Sequence, residues 1–152
     1  MSDSSDRVRE LLEKVSDALG LDADVVIETD AEGSIRGTLE GEELGLFIGR
    51  HGQTIDAVQH LAFKVANRDA GRDEAVRVTV DAAGYRERRE QALQRQADEA
   101  AEKAASSGRP VALDAMSATE RKVVHEYLKD REGVETYSEG TEPDRHLVVA
   151  PL

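Results

Sequence analysis

The chain has no cysteine. That absence excludes disulfides, zinc ribbons, iron–sulfur clusters and a thiol nucleophile together. It has no tryptophan, and its aromatics are two Phe and three Tyr: Phe47, Phe63, Tyr85, Tyr127 and Tyr137. So small a set argues against a platform that stacks several bases at once. Long apolar runs are missing too. The longest are pieces such as Leu147–Ala150, far short of the roughly 20 residues a membrane helix needs. The opening Met-Ser-Asp-Ser-Ser-Asp is acidic with no apolar stretch behind it, unlike a signal peptide. A cytoplasmic protein without membrane insertion is the expectation.

What is present is 152 residues, 39% of them hydrophobic. That is enough for one ordinary domain or two small ones. The net charge is −12, from 20 basic and 32 acidic residues. Taken whole, this argues against a nonspecific nucleic-acid binder, which would be basic. The charge is uneven, however. Residues 1–42 hold 12 acidic and 4 basic residues, and residues 132–152 hold 5 and 1. Residues 43–72 hold only 3 acidic and 4 basic residues, with His51 and His60. Residues 107–131 hold 4 and 5, with His125. Two windows escape the acidity.

The pattern of apolar residues sets the elements. Val8, Leu11, Leu12, Val15 and Leu19 follow helical spacing, with Asp6 as N-cap and Gly20 as stop. The period then drops to two. Val25, Ile27 and Thr29, a turn at 31–34, and Ile35, Gly37 and Leu39 predict a hairpin. A short apolar stretch, Leu44–Ile48, precedes Gly49-Arg50-His51-Gly52. Ile55, Val58, Leu61, Ala62 and Val65 predict the next helix, ending near Asn67. Val76, Val78 and Val80 predict a third strand. The order over residues 6–81 is α-β-β-α-α-β.

Residues 85–106 lack Gly and Pro and predict one Ala-rich helix, about 33 Å long at roughly 1.5 Å per residue. Val111–Leu113 reads as a short strand. Ser117-Ala118-Thr119-Glu120 is a capping box that starts a helix. Val123, Val124, Tyr127 and Leu128 supply its apolar side. Val134–Tyr137 and His146–Ala150 read as strands around the turn Ser138–Asp144.

Two motifs carry chemistry. Glycines at both ends of Gly49-Arg50-His51-Gly52 allow a tight turn and close approach of a sugar–phosphate chain. The helix that follows points its first N–H groups at the same place. Arg50 adds a fixed charge and His51 a titratable one. The competing reading is a plain glycine-punctuated connector. In the second motif, Arg121 and His125 stand at i and i+4 on the capped helix and share a face. Their neighbours Val123, Val124 and Leu128 point toward a core, and Lys122 and Lys129 lie nearby. An arginine beside an imidazole suits phosphate or base contact. The competing reading is an ordinary solvated face.

The sequence around both motifs resembles the Jag family, also described as the KhpB or EloR family. The Gly-x-x-Gly loop sits between two helices of an α-β-β-α-α-β unit, as in a type II KH domain. The stretches Met116–Glu126 and Gly133–Arg145 resemble its R-three-H domain, named for Arg-x-x-x-His. The resemblance implies an α+β fold of two modules, KH over 6–82 and R-three-H over 83–152. The long helix of about 85–106 would join the first to a compact unit at 110–152. It implies binding of single-stranded RNA, with single-stranded DNA open, through Gly49, Arg50, His51, Gly52, Arg121 and His125. Lys122 supports them, and Arg145-His146 stands where the family often has two basic residues, which makes Arg145 a further contact. It further implies an RNA-binding regulator or RNA chaperone linked to cell elongation and envelope synthesis. A homodimer, or a heterodimer with a small KH-only protein, belongs to the same picture. Many members carry a further N-terminal Jag-N domain, whereas this sequence begins at the KH helix.

Enzyme readings find little support. His125-Glu126-Tyr127-Leu128-Lys129 lacks the second His of a zinc-protease helix, and no G-x-S-x-G is present. Neither G-x-x-x-x-G-K-[ST] nor a G-x-G-x-x-G after a strand occurs, so no cofactor is expected. The rival to RNA binding is a protein-interaction scaffold whose KH surface mediates dimerisation.

Overall fold

A computed structural model describes residues 3–152; Met1 and Ser2 of the acidic start lie outside the described residues. Helix α1 (Asp3–Ala18) begins ahead of the expected cap at Asp6. Asp3 and Asp6 both stand in its first turn, where acidic side chains favour the helix dipole. Val8 and Leu12 are fully buried on its inner face. Its end follows the sequence: Gly20 N–H bonds Asp17 O and Leu21 N–H bonds Ser16 O, the paired bonds of a glycine stop.

Strands β1 (Ala23–Thr29) and β2 (Ile35–Gly41) pair antiparallel, with Val25 opposite Leu39 and Ile27 opposite Gly37. Asp30 closes their turn, its Oδ1 accepting from the N–H of Glu32 at 2.9 Å and of Ser34 at 3.0 Å. Strand β3 (Val78–Ala82) runs parallel to β2, giving the order β1-β2-β3. The alternation at Val76 predicts an earlier start to β3. Instead, the side-chain amide of Asn67 takes both the N–H and the C=O of Val76, at 2.7 and 3.1 Å. That removes Val76 from the ladder and ties it to the preceding helix.

Between β2 and β3 lie α2 (Gly45–Ile48), a single 3₁₀ turn at Arg50–Gly52, and α3 (Gln53–Ala66). Ile55, Val58, Ala62 and Ala66 form the buried stripe of α3. Leu61, expected on that face, is 50% exposed, because six residues of helix turn it about 120° away from Ile55. Phe47, Leu39 and Val80 complete the core. Arg7 binds α3 to α1, donating to the carbonyls of Val65 at 2.7 Å and Ala66 at 3.2 Å at the C-terminus of α3.

Helix α4 (Tyr85–Ser107) follows. Contacts divide the chain into two compact units, one ending at Arg86 and the other spanning Glu87–Leu152. In the second unit Leu93, Ala97, Ala100, Ala101 and Ala104 make the buried stripe of α4. Strand β4 (Val111–Ala112), helix α5 (Ala118–Leu128), and strands β5 (Val134–Glu139) and β6 (His146–Pro151) complete it. The sheet is antiparallel in the order β4-β6-β5, with Val149 between Val111 and Thr136. Ser117 caps α5, its Oγ accepting from Glu120 N–H at 3.2 Å. The Glu120 carboxylate pairs with Arg89 of α4 at 2.8 Å. Val124 and Leu128 are buried, but Val123 and Tyr127, expected beside them, are 37% and 39% exposed.

Candidate nucleic-acid interface

The loop at 49–52 is bent by three left-handed residues. Gly49 has φ 74° and ψ 178°, a region almost closed to side chains. His51 sits at φ 56°, ψ 25° and Gly52 at φ 77°, ψ 14°. Both glycines are also demanded by packing. A Cβ at Gly49 would overlap Thr54, and one at Gly52 would overlap the hydroxyl of Tyr85. The sequence expectation assigned the glycines to close approach of a nucleic-acid backbone. Their bare side meets Thr54 and Tyr85 of the same chain, and Gly52 is buried. What reaches solvent is the tip: Arg50 and His51 are both exposed. Gly52 is the N-cap of α3, and among the described residues no side chain caps that end.

Behind the loop stands a group that sequence reasoning missed. Arg86 donates from Nη1 to Asp56 Oδ1 at 2.5 Å, from Nη2 to Gln59 Oε1 at 3.1 Å and from Nε to Val80 O at 3.1 Å. Asp81, only 4% exposed, accepts from the backbone N–H of Ala82 and Arg86 and pairs with Arg36 at 2.8 Å. Tyr85 was visible as one of five aromatics, but no local pattern links residues 85 and 86 to a loop more than thirty positions earlier.

In the second unit the structure places the two signature residues differently. Arg121 is 8% exposed. Its Nη1 donates to Met116 O at 2.6 Å and its Nη2 pairs with Glu142 at 2.9 Å. It therefore joins the start of α5 to the β5–β6 loop and is not a free cation on a solvated face. His125 is exposed, with Nδ1 2.5 Å from Thr136 Oγ1 of β5. Lys122 is exposed as well. Arg145 donates to Gly140 O at 2.6 Å, which folds it over its own loop. Lys129 is held by Glu126 at 2.9 Å. Hydrogen bonding to that ammonium lowers the Glu126 carboxyl below its ordinary range and raises Lys129 above its own. His60 is exposed on α3, and His146 lies near Glu139 and Asp144 O. Among the described residues no group of three His, Asp or Glu is placed to hold a metal ion, and no helix is long and apolar enough to cross a membrane.

A helix-flanked Gly-x-x-Gly loop on a sheet with one parallel pair, then an antiparallel unit bearing Arg-x-x-x-His, defines a KH module followed by an R-three-H module. Family models agree: residues 5–81 match the KhpA/KhpB KH domain and residues 91–151 the R-three-H domain. The RNA-binding protein KhpB of Clostridium symbiosum is 35% identical over 146 residues, covering 95% of this chain and 65% of that protein. The RNA-binding protein KhpB of Bacillus subtilis is 31% identical, covering 91% and 66%. That of Lactiplantibacillus plantarum is 42% identical, covering 70% of this chain and 32% of its own length. The chain thus spans from about a third to about two thirds of these relatives. It belongs to the KhpB family.

Proposed function

We propose that the chain binds single-stranded RNA, with the loop tip as its first contact. One observation carries this reading: Arg50 and His51 both face solvent on a backbone bent by Gly49 and Gly52, at the uncapped start of α3. Cationic side chains and helix N–H groups at one point suit phosphate oxygens. The names of the relatives support RNA as the nucleic acid. In the second unit His125 and Lys122 make the contacts. Arg121 braces the start of α5 against the β5–β6 loop, and Arg145 braces that loop. Two modules on one chain raise affinity through effective concentration. The acidic remainder limits nonspecific contact and makes binding strongly salt-dependent. Fluorescence anisotropy with a short single-stranded RNA, at low and moderate salt, tests the reading. Arg50→Asp with His51→Asp should weaken binding by about tenfold or more. Equal binding by parent and double variant overturns it, and a matched single-stranded DNA shows whether the 2′-OH is read.

The wider role, an RNA-binding regulator or chaperone in the cytoplasm linked to cell elongation and envelope synthesis, rests on the family resemblance. An RNA-annealing assay with the same double variant tests its chaperone part. A second reading has its own observation. Leu46 and Leu61 are 64% and 50% exposed on α2 and α3, and exposed apolar residues can mark an interaction surface. They would serve a homodimer or a KH-only partner. Light scattering on the parent and on Leu61→Glu decides whether that surface self-associates.

A further inference from the structure

We propose that Tyr85 and Arg86 are positioning residues for the RNA-contact loop, an inference that rests on the RNA reading above. Tyr85 acts by shape. Its hydroxyl, Cζ and Cε2 occupy the space beside Gly52 that any Cβ would need. The loop is thereby backed on its inner side, and its left-handed bend is held from behind. Arg86 acts by charge and by reach. All three guanidinium nitrogens are committed, to Asp56 and Gln59 of α3 and to the Val80 carbonyl of β3. Gln59 also accepts from Val80 N–H at 2.9 Å, so helix, strand and arginine lock together.

The charge argument turns on Asp56. It is the acidic residue of the first turn of α3, immediately after the loop. Left unpaired, it would set a negative charge within one helical turn of the loop, unfavourable to an incoming phosphate. Arg86 cancels that charge at 2.5 Å. Asp56 is 45% and Arg86 29% exposed, and so exposed a pair adds little to stability. Its use is electrostatic: it keeps the loop end of α3 attractive to an anion.

The experiment uses the full chain and a short single-stranded RNA. Arg86→Ala should weaken binding by about threefold to tenfold at low salt, with the deficit shrinking as salt screens the exposed carboxylate. Adding Asp56→Asn should restore parental affinity, because the repelling charge is gone. A purely structural Arg86 gives no such rescue. Parental binding by Arg86→Ala, or no rescue by Asp56→Asn, overturns the charge role. If Arg86→Ala does not fold, Arg86→Gln, neutral but polar, replaces it in the same pair. Tyr85 is read without RNA. Tyr85→Ala should speed hydrogen exchange of the Gly52 and Gln53 amides, which bond Gly49 O and Arg50 O, by about tenfold with β1–β3 unchanged. Unchanged loop exchange overturns its role. Equal binding by parent and the Arg50→Asp, His51→Asp variant would sink the RNA reading alone, leaving the exchange result to decide Tyr85.

Discussion

Each unit presents an arginine and a histidine close together in sequence, and the fold treats the two pairs in opposite ways. In the loop, Arg50 and His51 both stand in solvent. On α5, His125 is exposed but Arg121 is buried between Met116 O and Glu142. The loop holds its shape with glycines and a tyrosine, so its cation is free to meet a ligand. The helix unit holds its corner with the arginine itself. A guanidinium can brace a fold or greet a phosphate, and helical spacing alone does not say which.

The comparison is broken most sharply at Gly52. Gly52→Ala must tolerate a left-handed φ of 77° and displace Tyr85. Strain and overpacking together should cost the first unit about 2–3 kcal/mol, read by chemical denaturation. Parental stability would mean that the loop is not fixed by packing. Next comes Arg121→Ala. It strands a carbonyl contact and an ion pair, but Glu142 is 60% exposed, so water relieves part of the loss. The expected cost is about 1–2 kcal/mol. If melting is unchanged and only RNA affinity falls, Arg121 is a contact residue and the contrast with the loop disappears.

His125→Ala should show the reverse pattern. The side chain is exposed and holds one hydrogen bond to Thr136, so stability should fall by under about 1 kcal/mol. RNA affinity should drop about twofold to threefold, the scale of one peripheral polar contact. Loss of stability without loss of affinity would make it a second brace, like Arg121.

Much of the fold was legible because it is local. The stripe of α1, the glycine stop, the hairpin and the Ser117 cap each depend on residues a few positions apart. Three features were hidden for one cause: a partner brought from elsewhere in the chain. Val76 leaves β3 because Asn67 claims it. Arg121 turns inward because Glu142 meets it. Arg86 was an ordinary helix residue in the sequence, and only the fold delivers Asp56 and Gln59 to it. Leu61 and Val123 are different: they were assigned to faces that helical geometry had already turned outward. The candidate site was legible at the loop tip, whose exposure follows from local backbone, and poorly legible on α5.

The smallest expected effect concerns the paired cation on α5. Glu126 and Lys129 lie one turn apart and are both about half exposed. The lowered carboxyl of Glu126 contributes stability above its unfolded pKa, and that contribution is lost as pH falls through the lower folded value. The raised Lys129 contributes below its unfolded pKa and loses that as pH rises through the higher folded value. The pair is therefore intact between about pH 5 and pH 10. Glu126→Gln should lower the melting temperature of the second unit slightly at pH 7, and the difference should shrink as pH falls below the ordinary carboxylate range. The same change removes an acid and releases Lys129, so RNA binding should tighten by less than about twofold. A variant that binds more weakly would show that the lysine is useful only where Glu126 holds it. The α5 surface would then resemble the loop after all, with a cation placed by a partner just as Tyr85 and Arg86 are proposed to place the loop.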